Sequence, residues 1–275
     1  MSEETMNRLA EFSAKWGIKA WRISGDSEPL LNKKINALIF AGHCDGIDMG
    51  LITNGVFLDR VTGSSLRRLT YLGVSLDAAS PETWSRLKRS SPENYHKIIN
   101  NVRLAREMAP HLDISLKFIR WNPQTDSHKQ DFGDNHLPLL NNDPVQDTSN
   151  YRDADLLPGL AESLGVRSII KDAYPADMHQ SYKFERCNAT PLGGVFDASH
   201  KFHLCCDARN RYVLTDDYTR DDWRELPRVW GSDAHWQLIE SIVPQKCTGC
   251  AKFGMNEVLE KLVMDPAQDV QINFI

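Results

Sequence analysis

The stretch IKAWRISGDSEPLLN, residues 18–32, joins a strand-like segment to the start of a helix. Its first part, IKAWRIS (18–24), carries branched and aromatic side chains that favour extended backbone. The loop that follows consists of Gly25, Asp26, Ser27, Glu28 and Pro29. Because glycine lets a ligand approach the backbone, this carboxylate-bearing loop predicts a ligand-binding position at the end of a strand. In the alternative interpretation, Ser27 or Glu28 only caps the following helix.

The rest of the first 172 residues alternates between strand-like segments and segments with apolar residues at helical spacing. Apolar side chains at helical spacing predict a leading helix over 3–16, and later helices around 57–69 and 153–164. Strands are predicted at 18–24, 47–53, 71–77, 113–119 and 166–172. Strands that alternate with helices predict an α/β fold of parallel strands joined by right-handed crossovers. The polar stretches after the strands, SGDSEP, TNG and SLDAAS, should therefore converge on one mouth.

Residues 122–152 are rich in Asn, Asp, Gln and Pro and are predicted to form a long loop. After residue 173 the pattern changes to short strands and turns, followed by two short helices. We therefore predict two domains, 1–182 with the parallel strands and 183–275 as a small α+β module.

Five of the six cysteines lie in the last third of the chain. In a cytoplasmic protein, clustered cysteines more often bind metal or perform redox chemistry than form disulfides. Four thiolates can hold a [4Fe–4S] cluster or a tetrahedral zinc ion. Consecutive side chains on a strand point to opposite faces, so only one of Cys205 and Cys206 should be a ligand, and we favour Cys205. The predicted ligands are Cys187, Cys205, Cys247 and Cys250.

The bulk composition excludes several classes of function. The formal net charge of −5 leaves no basic surface for nucleic acid or an anionic membrane. No apolar run approaches the roughly 18 residues of a transmembrane helix. The N-terminus lacks the basic start and the apolar stretch of a signal peptide, so we expect a cytoplasmic protein.

Four segments, in order, closely resemble the core of the radical S-adenosylmethionine (SAM) superfamily: RISGDSEPLL, LITNG, VSLDAASPETW and LKRSSPENYHKIINNV. The resemblance covers residues 3–172 and implies a partial (β/α)6 TIM-like barrel. It implies that the loop Gly25–Glu28 holds the methionine amino end of SAM. It further implies that Asn54, Ser75 and Asp77 line the SAM pocket, and that Arg89, or its rival Arg86, faces the SAM carboxylate.

The spacing of the C-terminal cysteines resembles the twitch module, a shortened form of the SPASM extension that carries an auxiliary [4Fe–4S] cluster. The resemblance implies an oxidoreductase in which reductive cleavage of SAM gives a 5′-deoxyadenosyl radical, and this radical abstracts hydrogen from a small-molecule or peptide substrate. The auxiliary cluster would accept an electron or anchor the substrate, and flavodoxin or ferredoxin would be the electron donor. The candidate substrate contacts, all expected at the barrel mouth, are Lys117, Arg120, Asp172 and Tyr174.

The superfamily's cluster motif, Cys-x3-Cys-x2-Cys, should come just before the first helix, whereas this sequence starts at Met1. We therefore expect the first barrel strand to be missing because the sequence starts late. The alternative is a non-catalytic protein that keeps the fold with a structural zinc or iron–sulfur site.

Overall fold

The computed structural model describes residues 1–25, 27–120, 150–172, 182–208, 210–219, 230–247 and 250–264. Residues 262–264 are described by their backbone only. The described residues divide into two compact units. The sheet unit comprises those from Ser2 to Asp172, and the cysteine unit comprises those from Tyr182 onwards.

The sheet unit is built on five parallel strands in the order β1-β2-β3-β4-β5. The prediction of an α/β fold with parallel strands is confirmed, and each observed strand lies at a predicted position. The strands are β1 (Ala20–Ile23), β2 (Asp48–Thr53), β3 (Tyr71–Ser75), β4 (Asp113–Arg120) and β5 (Arg167–Asp172).

Six α-helices accompany these strands: α1 (Glu3–Trp16), α2 (Ile35–Cys44), α3 (Gly63–Leu66), α4 (Pro81–Lys88), α5 (Pro92–Met108) and α6 (Leu157–Ser163). The leading helix has the predicted bounds, because the Ser2 side chain caps its first turn and Gly17 ends it in the left-handed conformation.

The continuous helix predicted over 57–69 is wrong. A 3₁₀ turn, Leu58–Arg60, is separated from α3 by extended backbone at Val61 and Thr62. The Thr62 hydroxyl accepts a hydrogen bond from the Ser65 amide and so starts a new helix there. The helix predicted near 153–164 is likewise a 3₁₀ turn, Arg152–Asp155, followed by α6.

The helices cover one of the two faces of the sheet. Side chains that alternate along the strands, such as Leu51, Leu72 and Leu116, are fully buried in the core that the helices complete. The intervening positions lie on the other side, which we call the second face. On β1 to β4 it includes Arg22, Gly50, Ile52, Tyr71, Gly73, Ser75, Ser115 and Lys117, and strand pairing extends it to Ile169 and Lys171 on β5.

The turn after β2 requires glycine. Gly55 has φ +83°, and a Cβ atom there would lie 2.9 Å from the side chains of both Val74 and Ile98. Asn54 supports the turn by accepting a hydrogen bond from the Val56 amide at 2.9 Å. The Asn-Gly pair thus brings the end of β2 tightly against the core.

A buried carboxylate joins two stretches that lie far apart in the sheet unit's sequence. Asp153, which is 8% exposed, accepts hydrogen bonds from the amides of Ala79 (2.8 Å) and Ser80 (2.9 Å). It also accepts them from the hydroxyls of Ser80 (2.9 Å) and Thr83 (3.1 Å). Since these donors surround the start of α4, Asp153 fixes the loop that follows β3.

The cysteine unit contains a small antiparallel sheet and two helices. The strands are β6 (Val195–Phe196), β7 (Phe202–His203) and β8 (Val213–Thr215), and the helices are α7 (Asp233–Glu240) and α8 (Phe253–Met264). His203 is fully buried, and its Nε2 atom lies 2.7 Å from the Asp197 carboxylate. This pair links the turn between β6 and β7 to the core of the unit.

None of the helices in the described residues combines the length and apolar character that crossing a bilayer requires.

Replacing Asp153 by Asn should lower the free energy of unfolding by about 2 to 3 kcal/mol, because an amide cannot accept hydrogen bonds at both of its polar atoms. Urea denaturation of the purified chain measures the change. Asp155→Asn, on the same turn but exposed, is the matched control. Equal effects of the two substitutions would contradict the role given to Asp153.

Candidate functional site

The loop after β1 is fastened to the end of β2 by Glu28. The Oε1 atom of Glu28 accepts hydrogen bonds from the Leu30 amide at 3.0 Å and the Thr53 hydroxyl at 2.6 Å. The Oε2 atom accepts one from the Asn54 amide at 2.7 Å. Glu28 therefore does cap the short 3₁₀ helix that follows it, as the alternative interpretation proposed. A carboxylate has about four acceptor positions, so one remains for a further donor such as an ammonium group.

A second carboxylate fastens the ends of β3 and β4. Asp77, at φ 59°, forms an ion pair with Lys88 at 2.6 Å and accepts a hydrogen bond from the Ile119 amide at 2.9 Å. The buried Asn150 side chain donates to the carbonyls of both Asp77 and Ile119. The sequence analysis did not single out Lys88 or Asn150, since only the folded chain brings them to Asp77.

The remaining SAM-site candidates lie in the loop after β1, at the end of β3 and at the end of α4. Ser75 is the last residue of β3, on the second face and paired with Lys117. Gly25 and Ser27 are exposed in the loop after β1, whereas Asp26 lies outside the described residues. Arg89 is exposed at the end of α4 with φ 48°, and its rival Arg86 is also exposed.

Of the four candidate substrate residues, the structure describes Lys117, Arg120 and Asp172. Lys117 is half-buried on the second face, and burial, together with nearby Arg22 and Lys171, lowers its pKa. Arg120 pairs with Asp172 at 2.6 Å, and strand alternation places both on the opposite side of the sheet from Lys117. Their role as substrate contacts stays a prediction. Tyr174 lies outside the described residues.

In the cysteine unit, the four predicted ligands line one cavity. They come from three separate stretches: Cys187 before β6, Cys205 after β7, and Cys247 and Cys250 between α7 and α8. Cys206 is not among the described residues that line it, and its thiol instead contacts the Asp207 carboxylate at 3.6 Å. This arrangement supports the choice of Cys205.

A buried amide is directed at two of these thiols. The Nδ2 atom of Asn256 lies 3.8 Å from Cys187 Sγ and 3.9 Å from Cys250 Sγ, and the residue is fully buried. Its Oδ1 atom accepts a hydrogen bond from the Ala189 amide at 2.9 Å, which fixes the orientation of the side chain. No sequence signal pointed to Asn256.

Burial and hydrogen bonding shift the pKa values of three of the thiols. Burial raises the pKa of Cys247 and raises the pKa of Cys250 to about 11. Hydrogen bonding from Cys206 lowers the pKa of Cys205. Thiols crowded together without a cation resist ionisation, whereas a bound metal holds coordinating thiols deprotonated. Four converging cysteines and an orienting amide donor therefore fit a four-thiolate metal centre.

No known protein-family profile matches the chain. Among curated proteins, it is 30% identical over 127 residues to a probable GTP 3′,8-cyclase of Methanocaldococcus jannaschii, covering 44% of this chain and 39% of that protein. It is 39% identical over 87 residues to the GTP 3′,8-cyclase of Staphylococcus haemolyticus, covering 30% of this chain and 24% of that protein. The matched part thus spans well under half the length of these relatives.

These relatives support the radical SAM superfamily. Among solved structures, Streptococcus suis SuiB bound to S-adenosylmethionine matches with a TM-score of 0.52 at 12% identity, covering 88% of this chain and 61% of SuiB. At that identity the likeness concerns the fold alone, and it agrees with the parallel five-stranded sheet. Together, the comparisons support an enzyme of radical SAM type, with S-adenosylmethionine and a [4Fe–4S] cluster as cofactors.

Replacing Asn256 by Asp keeps the acceptor for the Ala189 amide but directs a negative charge at two thiolates. We expect several-fold less iron to be retained after purification without oxygen, and a lower reduction potential for the centre that remains. Iron analysis and a redox titration followed by electron paramagnetic resonance measure the two effects.

Gln237→Glu adds the same charge at an exposed position on α7 and is the control. Iron content and potential that stay unchanged in Asn256→Asp would show that the amide does not act on the centre.

Proposed function

We propose that this chain forms the SAM-binding sheet and the auxiliary-cluster unit of a radical SAM oxidoreductase. The observation that carries the proposal is the convergence of Cys187, Cys205, Cys247 and Cys250 on one cavity, although 60 positions separate the first of them from the third. The relatives support the superfamily, and the cysteine cavity supports the proposal of an auxiliary centre.

In this proposal, the carboxyl ends of the strands hold SAM. Glu28 offers its remaining acceptor position to the methionine ammonium group, and Asn54, Ser75 and Asp77 line the pocket. Arg89 faces the SAM carboxylate, to which a guanidinium can donate two parallel hydrogen bonds. When bound to a reduced iron–sulfur cluster, SAM supplies the radical chemistry, and the chain's residues orient it and exclude competing reactions.

The auxiliary centre would be held by the four cysteines, and the Asn256 amide would donate hydrogen bonds to the thiolates of Cys187 and Cys250. Its role would be to accept an electron from the oxidised substrate or to anchor the substrate. A small molecule or a peptide is the substrate class, and flavodoxin or ferredoxin is the electron donor that this chemistry needs. We assign the protein to the cytoplasm, where these partners are found.

Metal and sulfide analysis of the chain, purified without oxygen, tests the auxiliary centre. We expect about four irons with matching sulfide per chain, because four thiolates hold a cluster of that composition. Cys205→Ser should lose most of this iron and Cys206→Ser should retain it. One zinc without sulfide would refute the oxidoreductase proposal and favour a protein with a structural metal.

Equilibrium dialysis with labelled SAM tests the first site. Glu28→Gln and Arg89→Gln should each weaken binding by about tenfold or more, since each removes a charge-assisted hydrogen bond. Arg89 is exposed, so this substitution leaves the fold intact.

Glu107→Gln is the matched control, because Glu107 is exposed at the end of α5, just before β4 begins, and so lies away from the strands' carboxyl ends. Wild-type affinity in both test variants would remove Glu28 and Arg89 from the SAM site.

A further inference from the structure

Three of the cations on the second face of the sheet are Arg22, Lys117 and Lys171. Arg22 lies on β1, Lys117 on β4 and Lys171 on β5. Arg22 alternates with Trp21 and Ile23, which pack against the helix-covered core, so its side chain points to the other side. Lys171 pairs with Ile119, which lies two residues beyond Lys117 and therefore on the same face.

Two glycines make room between these cations. Gly50 is the strand partner of Arg22, and Gly73 lies on the next strand. A Cβ atom at Gly73 would lie 2.9 Å from Lys117 Cδ and 2.8 Å from Ile52 Cδ1. The Lys117 side chain therefore occupies the space that a side chain at position 73 would take.

Within the part of the chain that the structure describes, these three cations have no counter-ion. Among the described residues, none of their side chains makes an ion pair or a hydrogen bond, whereas Arg167, at the other end of the same face, pairs with Asp113. The negative charge of Asp77 favours the protonated form of Lys117. The Asp77 carboxylate, however, already forms an ion pair with Lys88. Positive charges held near one another without partners cost free energy that a bound anion would offset.

From these positions we infer that the second face binds a phosphorylated small-molecule substrate through Arg22, Lys117 and Lys171. This inference rests on the proposed function and narrows its substrate class. A phosphate group carries about two negative charges at neutral pH, so phosphate or diphosphate matches three cations better than one carboxylate does. Arg22 can donate two parallel hydrogen bonds to such a group, while the lysines act as point charges.

The lowered pKa of Lys117 agrees with this assignment, because burial and the two neighbouring cations each oppose its charged form. Binding of an anion would reverse that effect and hold Lys117 protonated.

Isothermal titration of the 275-residue chain with inorganic pyrophosphate at low ionic strength tests the inference. Lys117→Gln and Lys171→Gln should each weaken binding by about tenfold, and Arg22→Gln by at least as much. Arg103→Gln is the matched control, since Arg103 is exposed on α5, a helix that packs on the opposite side of the sheet. Lys171 is exposed, so its variant keeps the test valid even if Lys117→Gln fails to fold.

Absence of pyrophosphate binding, or equal binding by wild type and all variants, would overturn the inference. Succinate binding as tight as pyrophosphate binding would also overturn it, because the face would then select carboxylates. SAM binding is measured on the same variants: a loss confined to SAM would mean that these cations serve the SAM carboxylate, and the inference fails. If wild type binds pyrophosphate but neither SAM nor iron, the proposed function fails while the anion site stands.

Discussion

The alternation of side chains along parallel strands is the constraint on which the sheet unit depends. One set of positions must be apolar because the helices cover it, and Leu51, Leu72 and Leu116 show how completely it is buried. The other set is released from that requirement, and it holds glycine, serine and four cations. A shift by one residue would exchange the two sets. Packing on one side therefore fixes which side chains are available for chemistry on the other.

Three carboxylates hold the loops at the ends of strands, and one of them, Glu28, is also a proposed ligand-binding group. Glu28, Asp77 and Asp153 each fasten a loop at a strand end by accepting hydrogen bonds from neighbouring backbone or side-chain donors. Glu28 keeps one acceptor position, so the bonds that orient it would also present it to the proposed ligand. The capping and ligand-binding interpretations of this loop are therefore compatible. A rigid loop also reduces the conformational entropy that a bound ligand would have to remove.

The cysteine unit follows a different principle. Its strands are only two or three residues long, so hydrogen bonding within its sheet contributes little order. Much of its structure instead surrounds the thiols: Asn256 contacts two of them, and the Asp207 carboxylate accepts the Ala251 amide next to Cys250. Small domains with such limited cores commonly obtain stability from a bound metal. A metal centre would thus give this unit stability as well as chemistry.

Several features could be predicted from local sequence alone. Hydrophobic periodicity located all five parallel strands and the leading helix, because period and capping are encoded within a few residues. The pattern also identified the cysteines as a set. It missed the break at Val61 and Thr62, where one threonine cap outweighs a helical apolar pattern.

Only the tertiary structure decided which distant groups meet. Asn256 reaches Cys187 across 69 positions, and Asn150 reaches Asp77 across 73, contacts that no local pattern encodes. Strand alternation placed Lys117 on the opposite side of the sheet from Arg120 and Asp172, although all three lie in or directly after the last two predicted parallel strands. It also gathered Arg22, Lys117 and Lys171 on one face. The sequence by itself determined most helices and strands and the chemical types of the candidate site residues, because these depend on residues that are close in sequence. Their combination into sites depended on strand register and helix packing, which exist only in the folded chain.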